Sequence, residues 1–322
     1  MHLLTYLSLT LTMFLWGGTF ISGRMLAASV APPSAAFLRF AIASITLLLI
    51  TRLTGNNLQR PGRSHWLPLI LLGATGIFSY NLCFFIGLKH ITAGRAALFV
   101  ACTPLVITLL SLFFHRERLP LSGFAGILLS LTGAVFVISN GHPEALLQGS
   151  FGIGELALLG CVLSWAAYTL IGRSILTTLS PLSSVCYSSM IGALMLLVPA
   201  LQAGLLSTLP KLTRIDWLNL SYLGVGGTAL GFSLYYQGIK KIGATRAGVF
   251  INLVPLFALL LSWLMLNESV KFSVLIGGLL VLLGVSLTNI AGRRDADRLQ
   301  RAVDAGKTTL PQAREEKARC GR

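Results

Sequence analysis

The sequence repeats itself at a spacing of 151 residues. Residues 66–139 align without a gap on residues 217–290, and about 25 of the 74 aligned positions are identical. The shared positions include Gly73/Gly224, Gly87/Gly238, Lys89/Lys240, Arg95/Arg246, Pro104/Pro255 and Glu117/Glu268. Nearer the N-terminus the spacing is 149 residues and two further pairs match, Trp16/Trp165 and Arg24/Arg173. Two short hydrophobic halves that share one pattern are typical of membrane transporters.

Composition places both halves in a membrane. Apolar residues make up 54% of the 322 residues and charged residues only 11%, whereas a soluble domain carries roughly 25% charged residues. Apolar stretches of about 20 residues recur, and each is long enough to cross the hydrocarbon core as a helix. We number ten predicted spans in chain order: 3–23, 33–51, 66–88, 94–114, 121–139, 152–172, 180–203, 217–239, 244–266 and 272–291.

The basic residues predict how these spans cross the membrane. If both termini are cytoplasmic, 18 of the 25 lysine and arginine residues fall on that side and six on the other, with Arg39 inside predicted span 2. This excess predicts a bacterial inner-membrane protein with both termini in the cytoplasm. Because five spans per repeat is an odd number, the second repeat enters from the opposite side. The predicted fold is therefore an all-α polytopic membrane protein with ten transmembrane helices in two inverted five-helix repeats.

The predicted domains are a first repeat at 1–140, a second repeat at 141–292 and a charged cytoplasmic tail at 293–322. Nine of the basic residues lie in that tail, so the net charge of +15 fits a membrane surface and does not predict nucleic-acid binding. The five cysteines show no CxxC pair and no metal-ligand spacing. We therefore expect neither a disulfide nor a bound metal.

Several motifs resemble those of EamA-type members of the drug/metabolite transporter superfamily. They are Trp16-Gly17-Gly18-Thr19-Phe20, Arg39-Phe40, Thr103-Pro104-Leu105, Glu117, Asn252-Leu253-Val254-Pro255-Leu256 and Asn267-Glu268. The resemblance covers about residues 5–292. It implies a ten-helix basket with predicted spans 1, 3, 4, 6, 8 and 9 near a central cavity, and transport of small metabolites, often export. It does not name a substrate, because the superfamily handles amino acids, sugars, nucleotide sugars, purines and drugs.

Nine polar and aromatic residues on these central spans are the predicted lining of the cavity: Trp16, Tyr80, Asn81, Phe84, Thr103, Trp165, Tyr168, Tyr236 and Asn252. An aromatic wall with few polar groups suits an amino acid or a planar amphiphile. Asn81 and Asn252 either bind substrate or join two helices, because an unbonded amide is costly inside a membrane. Pro104 and Pro255 lie mid-span at equivalent positions, and we expect kinks that serve as hinges or kinks that neighbours merely tolerate.

Three charged residues have more than one interpretation. Arg39 lies inside a span, where it either forms a structural pair or snorkels to the surface, or else binds an anion such as a carboxylate. Glu117 and Glu268 follow predicted spans 4 and 9. We expect them to pair with loop cations or to cap the next helix, and a gating salt bridge is the alternative.

The sequence therefore predicts a secondary transporter of small metabolites. We expect an exporter of amino acids or related amphiphilic compounds, working by alternating access around a central cavity without ATP and without a cofactor. The alternative is a non-transporting accessory or scaffold protein with a closed cavity. All acidic and histidine residues fall in loops, the tail or span ends, so no enzyme active site is expected in the membrane. The expected partners are a small-molecule substrate and the lipid bilayer, with the chain as a monomer or homodimer.

Overall fold

A computed structural model describes residues 3–53, 58–115, 121–142, 152–175, 178–242, 247–248 and 250–304. Within these ranges all regular secondary structure is helical. The α-helices are α1 Leu3–Ser29, α2 Pro32–Leu53, α3 Trp66–Leu72, α4 Tyr80–His90, α5 Ala93–Val100, α6 Thr103–His115, α7 Leu121–Ile138, α8 Ile153–Ile175, α9 Pro181–Gln202, α10 Leu205–Thr208, α11 Arg214–Ser221, α12 Gly231–Ile242, α13 Leu253–Leu266 and α14 Phe272–Asp304. Two π-helical segments, π1 Gly73–Ser79 and π2 Tyr222–Leu230, connect α3 to α4 and α11 to α12.

Five helical stretches in the described ranges are long and apolar enough to cross a membrane: Leu3–Ser29, Pro32–Leu53, Arg63–His90, Ile153–Gly172 and Pro181–Gln202. They coincide with predicted spans 1, 2, 3, 6 and 7. Shorter apolar helical stretches coincide with predicted spans 4, 5, 9 and 10: Ala93–Ile107, Gly123–Val137, Leu253–Leu266 and Phe272–Thr288. The prediction of a helical protein with several apolar spans is confirmed, and the number of ten crossings stays a prediction.

The π-helical segments lie at equivalent places in the two repeats. A π-helix widens the turn and leaves carbonyl groups without their usual donors. In π1 the side-chain amide of Asn81 donates to the carbonyl oxygens of Ile77 at 2.8 Å and Gly76 at 3.4 Å. In π2 the hydroxyl of Thr228 donates to the carbonyl oxygen of Leu223 at 2.9 Å. Buried polar side chains therefore stabilise both widened segments.

Predicted spans 4 and 9 are each interrupted by a turn. The turns lie at 101–102 and 251–252, and α6 and α13 begin directly after them. Pro104 and Pro255 therefore occupy the first turn of a new helix, where the missing N–H of proline leaves no bond unmade. The structure thus places a break where the sequence predicts a kink, because proline cannot bond to the carbonyl of the preceding turn. A hinge role for the two prolines stays a prediction.

The chain forms two compact units. Unit 1 comprises Met1–Thr103 with Leu146–Val270, and unit 2 comprises Pro104–Ala145 with Lys271–Arg322. Each unit combines segments of both sequence repeats, and the candidate site lies entirely in unit 1. The domain boundaries predicted at residues 140 and 292 follow the sequence repeat and stay a prediction.

Counterpart residues of the two repeats make counterpart contacts within unit 1. Leu9 on α1 packs against Gly238 on α12, and Leu158 on α8 packs against Gly87 on α4. A Cβ atom on Gly87 would lie 2.6 Å from the Leu158 side chain, so a larger residue would force that side chain to shift. Small residues let helix backbones come close in this way. Helix α1 of the first repeat is thereby packed on the second repeat, and α8 of the second repeat on the first.

Unit 2 is built on the close pairing of α7 with α14. A Cβ atom on Gly133 would lie 2.7 Å from the backbone nitrogen of Val281. The hydroxyl of Ser130 donates to the carbonyl oxygen of Val281 at 3.3 Å, and the hydroxyl of Thr288 donates to that of Gly123, also at 3.3 Å. The small residues of predicted spans 5 and 10 therefore serve packing within the fold.

Candidate functional site

One group of aromatic rings joins α4 to α8. The ring centroid of Tyr80 on α4 lies 5.2 Å from that of Trp165 on α8 and 5.9 Å from that of Phe84. Trp165 stacks on Tyr168 with the centroids 5.1 Å apart. These separations lie within the range in which aromatic pairs attract each other. Predicted spans 3 and 6 are thus connected through their aromatic side chains.

A second group is centred on Trp16, the counterpart of Trp165. The Trp16 ring lies 5.5 Å from Phe232 and 5.2 Å from Tyr235, and Phe232 stacks on Tyr236 at 6.2 Å. The indole N–H of Trp16 donates to the carbonyl oxygen of Gly227 in π2 at 2.9 Å. An indole has one donor and no acceptor, so this bond uses the whole hydrogen-bonding capacity of Trp16. It thereby holds the Trp16 ring against predicted span 8.

The two groups lie near each other inside unit 1. Phe20 on α1 packs against Phe84 at 5.3 Å, and Tyr236 lies near Tyr168. We define the aromatic cluster as Trp16, Tyr80, Phe84, Trp165, Tyr168, Phe232, Tyr235 and Tyr236. Apart from the buried Phe84, its members keep part of their surface accessible. The aromatic cluster is therefore a partly buried group of rings within unit 1.

Arg39 on α2 is buried beside this cluster and is only 8% exposed. Its Nη1 donates to Oδ1 of Asn81 at 3.0 Å. The guanidinium carbon lies 5.2 Å from the ring centroid of Phe40 and 5.7 Å from that of Phe84. Asn81 is 1% exposed and donates in turn to the carbonyls of π1. Arg39 is therefore held inside the unit, and the snorkelling alternative does not describe its position.

Six of the nine predicted lining residues belong to the aromatic cluster: Trp16, Tyr80, Phe84, Trp165, Tyr168 and Tyr236. Asn81 adjoins the cluster through Arg39. No hydrogen bond, ion pair or ring contact joins Thr103 or Asn252 to the cluster within the described ranges. The Thr103 hydroxyl donates to the carbonyl oxygen of Val100 at 2.6 Å and closes the turn before α6. Asn252 stands at the N-cap of α13 without a side-chain capping bond.

Glu268 joins the ends of four helices. Its Oε1 lies 3.4 Å from Nε of Arg24 at the end of α1. Its Oε2 accepts from the backbone N–H of Ala93 at 2.8 Å, at the start of α5, and from the hydroxyl of Ser262 on α13. Arg24 also donates to the carbonyl oxygen of Leu88 on α4. A carboxylate that accepts several charge-assisted bonds is firmly positioned.

Two further contacts of charged side chains do not involve Glu268. A second ion pair, between Nη1 of Arg95 and Oε1 of Glu155 at 3.0 Å, connects α5 to α8. Lys271, the cation nearest in sequence to Glu268, contacts Nε2 of His142 at 3.1 Å instead. Glu117, for which the same role was predicted, lies outside the described residues.

Several residues of the site carry no prediction from the sequence, and Arg24 and Phe232 are two of them. Arg24 has a signal in retrospect, because its spacing from Trp16 is duplicated in the second repeat. Phe232 has none, because its counterpart in the first repeat is Asn81 and the two side chains have nothing in common. Charge and ring contacts between distant helices are therefore the features that only the structure shows.

Asp216 connects α11 to the end of α1. It accepts from the backbone N–H of Thr213 at 2.9 Å, from the Thr213 hydroxyl at 2.7 Å and from the hydroxyl of Ser29 at 2.8 Å. Burial by itself would raise the pKa of Asp216, but the hydrogen bonds from Thr213 and Ser29 outweigh burial and hold that pKa below its usual value.

The described residues contain no group of three His, Cys, Asp or Glu side chains that could hold a metal ion. Four thiols in these ranges are free: Cys83, Cys102, Cys161 and Cys186. Cys320 lies outside the described residues. The aromatic cluster and its neighbours offer aromatic faces, tyrosine hydroxyls, the Asn81 amide and the Arg39 guanidinium.

Comparison with known proteins relates both repeats to one family. The model of the EamA-like transporter family matches residues 3–139 and again residues 152–290. An uncharacterized transporter of Bacillus subtilis (strain 168), YyaM, is 30% identical over 284 residues, which cover 88% of this chain and 93% of the relative. A probable terminal-alkyne amino-acid exporter of Streptantibioticus cattleyicolor is 27% identical over 304 residues, which cover 93% of this chain and 97% of the relative.

A solved crystal structure shares the fold. It superposes with a TM-score of 0.62 at 22% sequence identity and covers 90% of this chain and 98% of that chain. The family match and the apolar helices identify this chain as a multi-pass membrane protein. The relatives named above are transporters and not enzymes. With the family model matched over both repeats, this chain belongs to the EamA-like transporter family.

Proposed function

We propose that this chain is a secondary transporter that exports small metabolites, namely amino acids or related amphiphilic compounds. The observation that carries this proposal is the aromatic cluster, a partly buried group of rings with Asn81 and Arg39 beside it, which in this proposal lines the central cavity. An apolar, aromatic wall with a few convergent polar groups matches a small amphiphilic solute. Similarity to a relative named as an amino-acid exporter supports both the solute class and the direction of transport.

In this proposal the transporter works by alternating access between two arrangements of an inverted repeat. The counterpart contacts Leu9–Gly238 and Leu158–Gly87 support it, because equivalent halves can exchange conformations without new kinds of packing. The turns before α6 and α13 support it as well, because a few residues at helix ends can absorb a change of backbone angles. A central cavity then opens to one face of the membrane at a time.

The Arg24–Glu268 and Arg95–Glu155 ion pairs are the proposed closure of one end of unit 1. The first pair connects α1 to the end of α13, and the second connects α5 to α8. These helices must separate before a solute can pass. The excess of basic residues on one side supports cytoplasmic termini in a bacterial inner membrane, so this end faces away from the cytoplasm. The protein acts in the bilayer as a monomer or homodimer.

Untargeted metabolite profiling of medium and cells tests the proposed function. Cells that express the native chain should accumulate one class of amphiphilic solute in the medium, relative to cells without it. Trp165→Ala should remove most of this accumulation at equal membrane abundance. Trp263→Ala is the matched control, since this tryptophan on α13 is 63% exposed and lies outside the aromatic cluster. If no solute moves under several carbon and nitrogen sources, export is refuted and the scaffold with a closed cavity becomes the better account.

A further inference from the structure

Arg39 carries a buried positive charge with few partners. Its Nε is buried and has no hydrogen-bond partner among the described residues. The bond from Nη1 to Asn81 is the one hydrogen bond that its guanidinium makes within those ranges. A guanidinium has five N–H donors in a planar fork. Most of the donor capacity of Arg39 is therefore left over.

No carboxylate in the described part of the chain neutralises this charge. The acidic side chains that the structure describes are engaged elsewhere in unit 1: Glu155, Asp216 and Glu268. The rings of Phe40 and Phe84 provide cation–π contacts, which compensate a buried charge less well than an opposite charge does. An ionisable group with so little compensation inside a membrane protein marks a functional site.

The free part of Arg39 adjoins the aromatic cluster. Its guanidinium lies over the ring of Phe84, which stacks on Tyr80 at 5.9 Å, and the Tyr80 ring is 5.2 Å from Trp165. The counterpart of Arg39 in the second repeat is the uncharged, buried Ser188. The cluster therefore has a cation at one of two equivalent places, which suits a solute with one anionic end and an apolar body.

From this geometry we propose that Arg39 binds the carboxylate of the transported solute, so the substrate is an amphiphilic carboxylic acid. Its apolar or aromatic body packs among Tyr80, Phe84 and Trp165. Asn81 holds the guanidinium by one edge and leaves the Nε edge for a bidentate carboxylate. This assignment rests on the proposed function and deepens it, since it names the chemical class of the substrate.

Binding of three matched probes to the purified chain tests this assignment. L-phenylalanine and 3-phenylpropionate carry a carboxylate, and L-phenylalaninamide carries an uncharged amide in its place. We expect the native protein to bind both acids about 10- to 100-fold more tightly than the amide, which is the range for a charge-assisted hydrogen bond. Arg39→Gln keeps a donor for Asn81 and should remove most of this preference. Arg52→Gln changes an exposed arginine on the same helix and should leave the preference intact.

Each preparation yields a ratio of two affinities, so a loss of active protein does not change the readout. Equal affinity of the native protein for acids and amide, no binding of either acid, or an unchanged preference in Arg39→Gln would each overturn the assignment. The native ratio alone keeps the test decisive if Arg39→Gln does not fold. A retained preference in a chain that exports no solute from cells would instead remove the proposed function and leave the carboxylate site standing.

Discussion

Replacing Glu268 by Gln should loosen the end of unit 1 where α1, α4, α5 and α13 meet. The Glu268 side chain is 12% exposed, pairs with Arg24 at 3.4 Å and accepts from the N–H of Ala93 at 2.8 Å. A hydrogen bond to a charged group contributes about 1.5–3 kcal/mol, and a partly exposed ion pair about 0–1 kcal/mol. Gln retains the size and one acceptor oxygen, so part of this interaction survives. We therefore expect the substitution to destabilise the closed arrangement of this end by about 1–2 kcal/mol.

Hydrogen–deuterium exchange measures that cost directly. A change of about 1–2 kcal/mol alters the open fraction about 5- to 30-fold, so the amide of Ala93 and its neighbours at the start of α5 should exchange faster by that factor. Lys271→Gln is the control, because its contact with His142 is exposed and such contacts contribute little. Unchanged exchange in Glu268→Gln, or equal acceleration in Lys271→Gln, would refute the reasoning that a largely buried carboxylate holds these helices together.

Three further substitutions test other parts of the fold. Gly133→Leu should lower the melting temperature in detergent, because its Cβ would lie 2.7 Å from the backbone nitrogen of Val281 on α14 and overpacking costs about 1–3 kcal/mol. An unchanged melting temperature would contradict the close pairing of α7 with α14. Asn81→Ala should also lower the melting temperature, because the Ile77 carbonyl loses a donor and Arg39 loses an acceptor, at about 1–3 kcal/mol each. An unchanged melting temperature would mean that Asn81 does not stabilise π1. The pKa of Asp216 is lowered on folding, so its carboxylate stabilises the fold above pH 3.8, the ordinary pKa of Asp, and that stabilisation disappears as the pH falls further. The stability difference between native protein and Asp216→Asn should therefore shrink in acid, and parallel pH profiles would show that the hydrogen bonds do not act in this way.

The internal repeat and the composition together predict much of the fold. Apolar stretches of spanning length predict the helices, because only helices or closed barrels satisfy the backbone inside a bilayer. Duplication also directs attention to Trp16 and Trp165, since counterpart positions occupy equivalent environments. Both tryptophans do belong to the aromatic cluster.

Other features depend on contacts that the sequence does not encode locally. Pro104 predicts a disturbed helix, but whether the chain bends or breaks depends on neighbours such as the Thr103 hydroxyl. Nothing in the sequence marks π1 or π2 as widened helices. The Arg24–Glu268 pair joins residues from opposite ends of the chain, and the nearby Lys271 is the partner that sequence proximity would favour.

Transport by the reconstituted protein tests the central claim most directly. Proteoliposomes loaded with an equimolar mixture of L-amino acids, without ATP, would be compared with protein-free liposomes for release of each amino acid. The account predicts faster release of at least one amino acid by the native chain, a loss of about tenfold or more in Trp165→Ala, and native release by Trp263→Ala. No release above protein-free liposomes, or equal release by Trp165→Ala and the native chain, would contradict it.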